Sequence, residues 1–176
     1  MELDMNNFAK AGYDVFSMFS QRWALVTAGS MDDFNTMTIG WGAMGSIWGA
    51  PGNCPQIIAV FIRDNRRTYD YMLENEYFTV SFFPEEYKKD LGILGSVSGH
   101  DDPEKLQRTS LTPKLMGEGL GFEEAELSFV CRKIYCQTLD RDAIPPQVID
   151  RMYTQDEHMH RMFFGEICRV EGRSRE

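Results

Sequence analysis

Three arginines and a threonine crowd into residues 63–69, RDNRRTY, where an apolar run gives way to a helical pattern. Arg63, Arg66 and Arg67 can each offer a planar fork of donors to a phosphate. Thr68 adds a hydroxyl at the start of the helix, where unpaired N–H groups and the helix dipole favour an anion. The stretch equally suits a solvated turn whose arginines pair with Asp64 and Asp70. Residues 34–49, FNTMTIGWGAMGSIWG, are of the opposite character: two tryptophans, two methionines, four glycines and no charge. In a strand, Met37, Ile39 and Trp41 share one face, and Thr36, Thr38 and Gly40 share the other. The bulky face suits a core, whereas the small hydroxyl face lets a flat ligand with polar edges approach the backbone. A barrel strand bent at its glycines fits the same letters. An anion site about one strand away from a neutral, glycine-lined surface is more suggestive than either motif alone.

Two further clusters carry weaker signals. Ser98 and Gly99, in SGHD, could offer turn N–H groups to an anion, with His100 adding charge, and an ordinary turn has the same composition. His158 and His160 could reach a metal from one strand face, yet two histidines without a third placed ligand make a poor zinc site. G-x-x-x-x-G-K-[ST], G-x-S-x-G and H-E-x-x-H are all missing, as is G-x-G-x-x-G after a strand. No catalytic side chain and no metal site is expected, so any chemistry would come from a cofactor.

The elements that must position these residues read mainly as strands. Period-2 alternation marks residues 22–28, 56–63, 77–83, 124–139 and 162–170, which with the 34–49 segment makes about six strands. Helical spacing marks residues 68–75, with Thr68 as N-cap, and residues 84–94. Residues 95–123 and 140–157 are rich in turn formers and read as surface excursions. The expected fold is mainly β, an antiparallel barrel, closed or partly split, with a few short helices.

Composition sets the outer limits. A chain of 176 residues with 43% hydrophobic and 26% charged side chains is expected to form one domain spanning 1–176 with a substantial core. A net charge of −9 argues against a general nucleic-acid binder. Cys54, Cys131, Cys136 and Cys168 form no C-x-x-C pair, and they read as reduced, mostly buried thiols. Cys131 and Cys136, five apart, would point to opposite faces of a strand. The first residues show no signal peptide, and the longest apolar run, 57–62, is far short of a membrane span, so a cytoplasmic protein is expected.

The ordered motifs resemble a known family. Residues 23–29 (WALVTAG), 34–42 (FNTMTIGWG), Ile47, Trp48, Gly49 and Pro51, Arg67, Thr68 and Tyr69, and 77–81 (YFTVS) resemble the flavin-reductase-like, FMN-binding split-barrel family, in particular its flavoredoxin-like branch. Ser98, Gly99, His100 and Asp101, then Lys105, residues 111–113, 124–125, 131–133 and 165–167 follow in the expected order. The resemblance implies an antiparallel split barrel that forms a homodimer with FMN near the subunit interface. It implies Asn35, Thr36, Met37 and Thr38 along the isoalloxazine ring, with Trp48 at its border. Arg67 and Thr68, with Arg66 and Arg63, would hold the phosphate, and Ser98 and Gly99 the phosphate end or ribityl chain. Electrons would pass from NADH, NADPH or another donor through FMN. Either a flavin reductase or a flavoredoxin-like carrier serving a partner protein fits, and a barrel that has lost FMN and acts as a scaffold is the third reading. Two departures stand out: the Ser98–Lys105 spacing is one residue long, and His158 and Phe163 replace an aspartate and a tyrosine.

Overall fold

The computed structural model describes residues 2–153 and 158–173. Its strands are β1 (Glu2–Leu3), β2 (Ala24–Gly29), β3 (Phe34–Ile39), β4 (Gly42–Ser46), β5 (Gln56–Arg63), β6 (Tyr77–Phe82), β7 (Pro113–Met116), β8 (Gly119–Phe122), β9 (Leu127–Thr138) and β10 (His160–Arg173). Its helices are α1 (Val15–Ser17), α2 (Arg67–Glu74), α3 (Lys88–Ser96) and α4 (Pro146–Met152).

One antiparallel sheet runs in the order β3-β2-β6-β9-β10-β5-β4, with β1 paired to the far end of β10. β3 and β4 therefore lie at opposite edges, yet only Gly40 and Trp41 separate them in the chain. So short a link spans about 10 Å when extended. The sheet must roll until its two edges nearly meet, and the edges stay unpaired there. This is a split barrel, the architecture expected from the sequence.

The rolled face buries Val26, Val60, Ile62, Phe78, Val80, Phe82, Phe129 and Phe163 in one cluster. Phe82 sits in its middle, edge-on to Phe19 at 5.3 Å and to Phe129 at 6.3 Å. Each such side chain contributes roughly 1.5–3 kcal/mol by leaving water. A second, smaller cluster of Leu25, Phe83, Leu91, Leu94, Leu111 and Phe122 lies between the other face of β2, α3 and β8. β2 is thus covered on both faces, so Ala24 through Ala28 are all buried.

The structure departs from the sequence reading in several places. The 95–123 stretch contains the β7–β8 hairpin, whose Gly119–Phe122 strand is buried throughout. Its glycines hid a strand that packs close to neighbours: a Cβ on Gly119 would sit 2.5 Å from Thr79 Oγ1. The 140–157 stretch contains α4 and the buried Tyr153, while its last four residues lie outside those described. α2 starts at Arg67 with Arg66, not Thr68, at the N-cap. Ile134 is an extra residue in β9 opposite the Phe164–Gly165 step, and this bulge returns Cys136 to the side of Cys131, where both touch the main core. All four cysteines are free, with Cys131 buried, Cys54 and Cys136 half-buried and Cys168 exposed. Among the described residues no helix is long and apolar enough to cross a membrane.

Candidate functional site

β5 delivers Arg63 into a tight turn in which the Arg66 N–H donates to the Arg63 carbonyl at 3.1 Å. α2 then begins, with Arg66 extended at its N-cap and no side chain capping it. A first turn without a side-chain acceptor leaves donors for an anion. Thr68, 1% exposed, is held in that turn by Asn35 of β3, whose Nδ2 donates to Thr68 Oγ1 at 2.6 Å.

The turn after α3 closes over this helix end. Ser98 Oγ accepts the His100 N–H at 3.3 Å, and the Ser98 carbonyl accepts the N–H groups of Asp101 and Asp102. Arg67 clasps the turn through Nη1 to the Gly99 carbonyl at 3.1 Å. Its Nη2 donates to Tyr71 Oη at 3.3 Å, and Tyr71 in turn donates to Asp33. The Asp33 carboxylate, followed by burial, pushes the Tyr71 phenol pKa up. A Cβ at Gly99 would overlap Asn35 Oδ1, so the close approach requires glycine.

Lys105 completes the cradle. It is 3% exposed, and its Nζ donates to the carbonyls of Leu94 and Val97, each at 3.0 Å. Burial, reinforced by the nearby Arg66 charge, lowers its pKa to about 8. Asn35, Met37, Arg66, Arg67, Thr68, Ser98, Gly99 and Lys105 all line this small closed cradle. Its side-chain charges are all positive.

Met37 and Arg66 also border a second cavity of about 170 Å³, lined besides by Thr38, Ile39, Gly40, Trp41, Phe61, Arg63 and His160. The cradle and the cavity are therefore neighbours along β3. Trp41 stacks on His160 with ring centres 4.4 Å apart and 30° between planes. Tyr153 Oη lies 2.9 Å from His160 Nδ1. Arg63 donates to the Met152 carbonyl at 2.8 Å and lies over the Tyr153 ring.

The site thus draws on the sequence-marked residues unevenly. Asn35, Met37, Arg66, Arg67, Thr68, Ser98 and Gly99 meet at the cradle, and Thr38 and Arg63 reach the cavity. The hydroxyl face of β3, expected to meet a ligand, instead packs within the fold. Thr36 bonds Thr27 Oγ1 at 2.9 Å and the Val26 carbonyl at 3.2 Å, and Thr38 donates to the Leu91 carbonyl at 2.6 Å. The opposite face supplies Asn35, Met37 and Trp41. Trp48 stands apart from both cavities, 64% exposed and edge-on to Tyr135, with a φ of +58°. His158 pairs with Asp64. Sequence reasoning missed Tyr71, Asp33 and Tyr153. Their roles depend on contacts 38, 4 and 7 residues away that no local motif announces.

The sequence profile of the family described as "Flavin reductase like domain" matches residues 16–176. Among solved structures, the chain is similar to the flavoredoxin from Methanosarcina acetivorans, with 20% identity, a TM-score of 0.63, and coverage of 86% of this chain and 68% of that one. It is similar to an FMN-binding protein from Thermus thermophilus with bound 1-cyclohex-2-enone, at 21% identity and TM-score 0.63, covering 85% and 69%. It is also similar to the styrene monooxygenase flavin reductase from Pseudomonas putida S12, at 15% identity and TM-score 0.58, covering 88% and 80%. At these identities the likeness is one of fold. No curated protein sequence matches the chain. With its profile match running over most of the length, the chain belongs to the flavin reductase like domain family.

Proposed function

We propose that the protein is an FMN-dependent oxidoreductase of the flavin reductase type. One observation carries this reading: Arg66, Arg67 and Lys105 surround an uncapped helix N-terminus directly beside a cavity walled by Met37, Ile39, Trp41 and Phe61 and edged by Arg63 and Arg66. A cradle whose side-chain charges are all positive suits a phosphate dianion and disfavours a cation. The donor set therefore fits the phosphate end of FMN, and the Met37–Trp41–Phe61 walls fit a flat uncharged ring.

Bound FMN supplies acceptance of electrons from NADH, NADPH or another donor and their delivery onward. Around it, Arg66, Arg67, Lys105 and the first-turn N–H groups of α2 hold the phosphate. Asn35 orients Thr68 for the same task, and the Ser98–Gly99 turn closes over it. Met37, Thr38 and Trp41 line the ring and exclude water, with Arg63 anchoring α4 against the cavity rim. Thr36 acts from behind β3 by holding that edge to β2. Trp48 belongs to the face that meets a second copy, in a homodimer with FMN near the interface. One domain, 1–176, working in the cytoplasm, completes the reading.

The net charge of −9 favours a second reading, in which FMN stays bound and the protein docks on a basic redox partner as an electron carrier. The test begins with adding FMN to purified protein and following flavin absorbance and fluorescence quenching; no binding at micromolar flavin rejects both readings. Steady oxidation of NADH or NADPH with free flavin then selects the reductase. Reduction only by a partner protein selects the carrier.

A further inference from the structure

Tyr71 lies one helical turn beyond Arg67 on α2, close enough for the guanidinium to lie over its ring, with Arg67 Cζ 5.7 Å from the ring centre. Arg67 Nη2 also donates to Tyr71 Oη at 3.3 Å, and the phenol donates onward to Asp33 Oδ1. These directions are forced, because a guanidinium only donates and a carboxylate only accepts. The one phenol hydrogen goes to Asp33, and the phenol lone pairs face Arg67. Asp33, then burial, pushes the phenol pKa up, so that hydrogen is held well past neutral pH.

Asp33 is itself pinned in the turn between β2 and β3. The Ser30 N–H donates to its carbonyl at 2.9 Å, and its own N–H donates to the Ser30 carbonyl and Oγ, each at 3.2 Å. Two residues on, Asn35 donates to Thr68 at 2.6 Å. Thr68 and Tyr71 are three apart on α2 and share a face. The start of β3 thus grips the helix at two points, which fixes its rotation and the direction in which Arg67 leaves it. Among the described residues, Arg67 meets a carbonyl and a phenol but no carboxylate. A carboxylate in direct contact would offset its attraction for an anion, whereas the phenol anchors it and leaves its charge open to a ligand. Of the five N–H donors that a guanidinium carries, these bonds use two.

We infer that Tyr71, backed by Asp33, is a positioning residue that orders the Arg67 guanidinium before a ligand arrives and presents its remaining donors to a phosphate monoester at the start of α2. A freely rotating arginine would lose side-chain entropy on meeting the phosphate, and an arginine already ordered loses little. The ordering stands on geometry alone; its use toward phosphate rests on the FMN-binding reading.

The guanidinium ¹⁵N spectrum of the flavin-free protein reads the ordering, with the Arg67 signals identified as those lost in Arg67→Lys. The wild type is expected to show slow rotation that keeps the two Nη groups distinct. Tyr71→Phe keeps the ring without the hydroxyl, and is expected to speed that rotation by about tenfold, the scale of one hydrogen bond. Averaged Nη signals in the wild type overturn the inference, and so does a folded Tyr71→Phe with unchanged rotation. If Tyr71→Phe does not fold, Asp33→Ala at its exposed position takes its place, and rotation as slow as in the wild type then overturns the inference. With flavin, Tyr71→Phe is expected to weaken FMN by about tenfold and riboflavin, which lacks the phosphate, by less than about twofold. In an Arg67→Gln background the same change is expected to add less than about twofold, because it acts through Arg67. Equal losses for both flavins, or a full loss that persists without Arg67, would overturn the positioning role. A protein that binds no FMN yet shows an ordered Arg67 released by Tyr71→Phe sinks the proposed function and leaves the positioning intact.

Discussion

Asn35 and Thr68 lie 33 residues apart in the chain, yet Asn35 Nδ2 donates to Thr68 Oγ1 at 2.6 Å inside the fold. The bond ties edge strand β3 to the first turn of α2, and so joins the uncharged strand to the arginine-bearing helix start. Asn35→Ala strands the Thr68 hydroxyl, and Thr68→Val leaves the Asn35 amide with only its long 3.4 Å bond to the Thr36 carbonyl. Leaving a buried polar group unpaired costs about 1–3 kcal/mol. Each variant is expected to lower the denaturant midpoint accordingly, and the double-mutant cycle to show about 1 kcal/mol of coupling. Thr68→Ser is expected to stay near wild type. Strictly additive losses would show that the bond is incidental.

Arg66 and Arg67 are adjacent but differently engaged. Arg67 already donates to Gly99 and Tyr71, whereas the Arg66 side chain has no hydrogen-bond partner among the described residues. Arg66→Gln is expected to weaken FMN by about 10-fold or more while leaving riboflavin, which lacks the phosphate, almost unchanged; this is the scale of one charge-assisted bond. Arg67→Gln is expected to weaken both, because the turn over the site loosens. Parallel fluorescence titrations with the two flavins check this. Equal losses for both flavins in Arg66→Gln would move the phosphate elsewhere.

Glycine at position 99 is set by crowding. An added Cβ would overlap Asn35 Oδ1 and lie 3.1 Å from Arg67 Cδ. Gly99→Ala is expected to push the turn off α2 and cost about 1–3 kcal/mol, typical of overpacking. Gly92 on α3 is the control, since a Cβ there meets nothing within 4 Å. Gly92→Ala is expected to stabilise by about 0.4–1 kcal/mol by restricting the unfolded chain. Thermal melts of the two variants should move in opposite directions.

If FMN phosphate binds beside Lys105, its affinity is expected to depend on pH. Burial first, then the Arg66 charge, lowers its pKa to about 8 from an ordinary 10.5. A phosphate dianion beside it favours the ammonium and raises that pKa. Binding then takes up a proton wherever unbound Lys105 is neutral. FMN affinity is therefore expected to be level below pH 8 and to fall above it, by at most about tenfold per pH unit. Stability of the flavin-free protein runs the other way. Between about pH 8 and 10.5 the unfolded chain binds more protons, so folding gains as pH rises through that window. Lys105→Met should flatten both profiles. An affinity that stays level past about pH 9.5 in the wild type would remove Lys105 from the phosphate site.

How much of this was legible in the sequence depends on the range of the contacts. The β-branched and aromatic runs in residues 56–63 and 77–83 gave β5 and β6 almost to the residue, although both strands are buried on both faces along most of their length. The grouping of Arg66, Arg67 and Thr68 was legible because they sit together at a helix start. The hydroxyl face of β3 reads as open in the sequence because small hydroxyl residues look open in isolation, yet Thr36 is buried against β2 and the Thr38 hydroxyl is engaged within the fold. α3 packs over that face, and the Thr38–Leu91 bond spans 53 residues. The Ser98–Lys105 spacing is one residue long, yet the Lys105–Arg108 3-10 turn brings the Lys105 ammonium to the Leu94 and Val97 carbonyls. β8 stayed hidden because its glycines, required by close packing, read as loop.

The short link between β3 and β4 sets the last test. Gly42 opens β4, and a Cβ there would overlap the ring of Phe19, which is 3% exposed and packed on Phe82. The link lets the chain cross the split without displacing that ring from the barrel core. Gly42→Ala is expected to cost about 1–3 kcal/mol, because rigid neighbours cannot give way cheaply. Phe19→Leu should lose stability on its own by removing buried ring, but it also makes room. The double variant is therefore expected to be more stable than the sum of the two losses predicts, by at least about 0.5 kcal/mol, the lower bound for residues in direct contact. Gly45→Ala, three residues on and facing open space, should change the melt little. Additive losses at Gly42 and Phe19, or a harmless Gly42→Ala, would show that the glycine serves the edge strand and not the approach to the core.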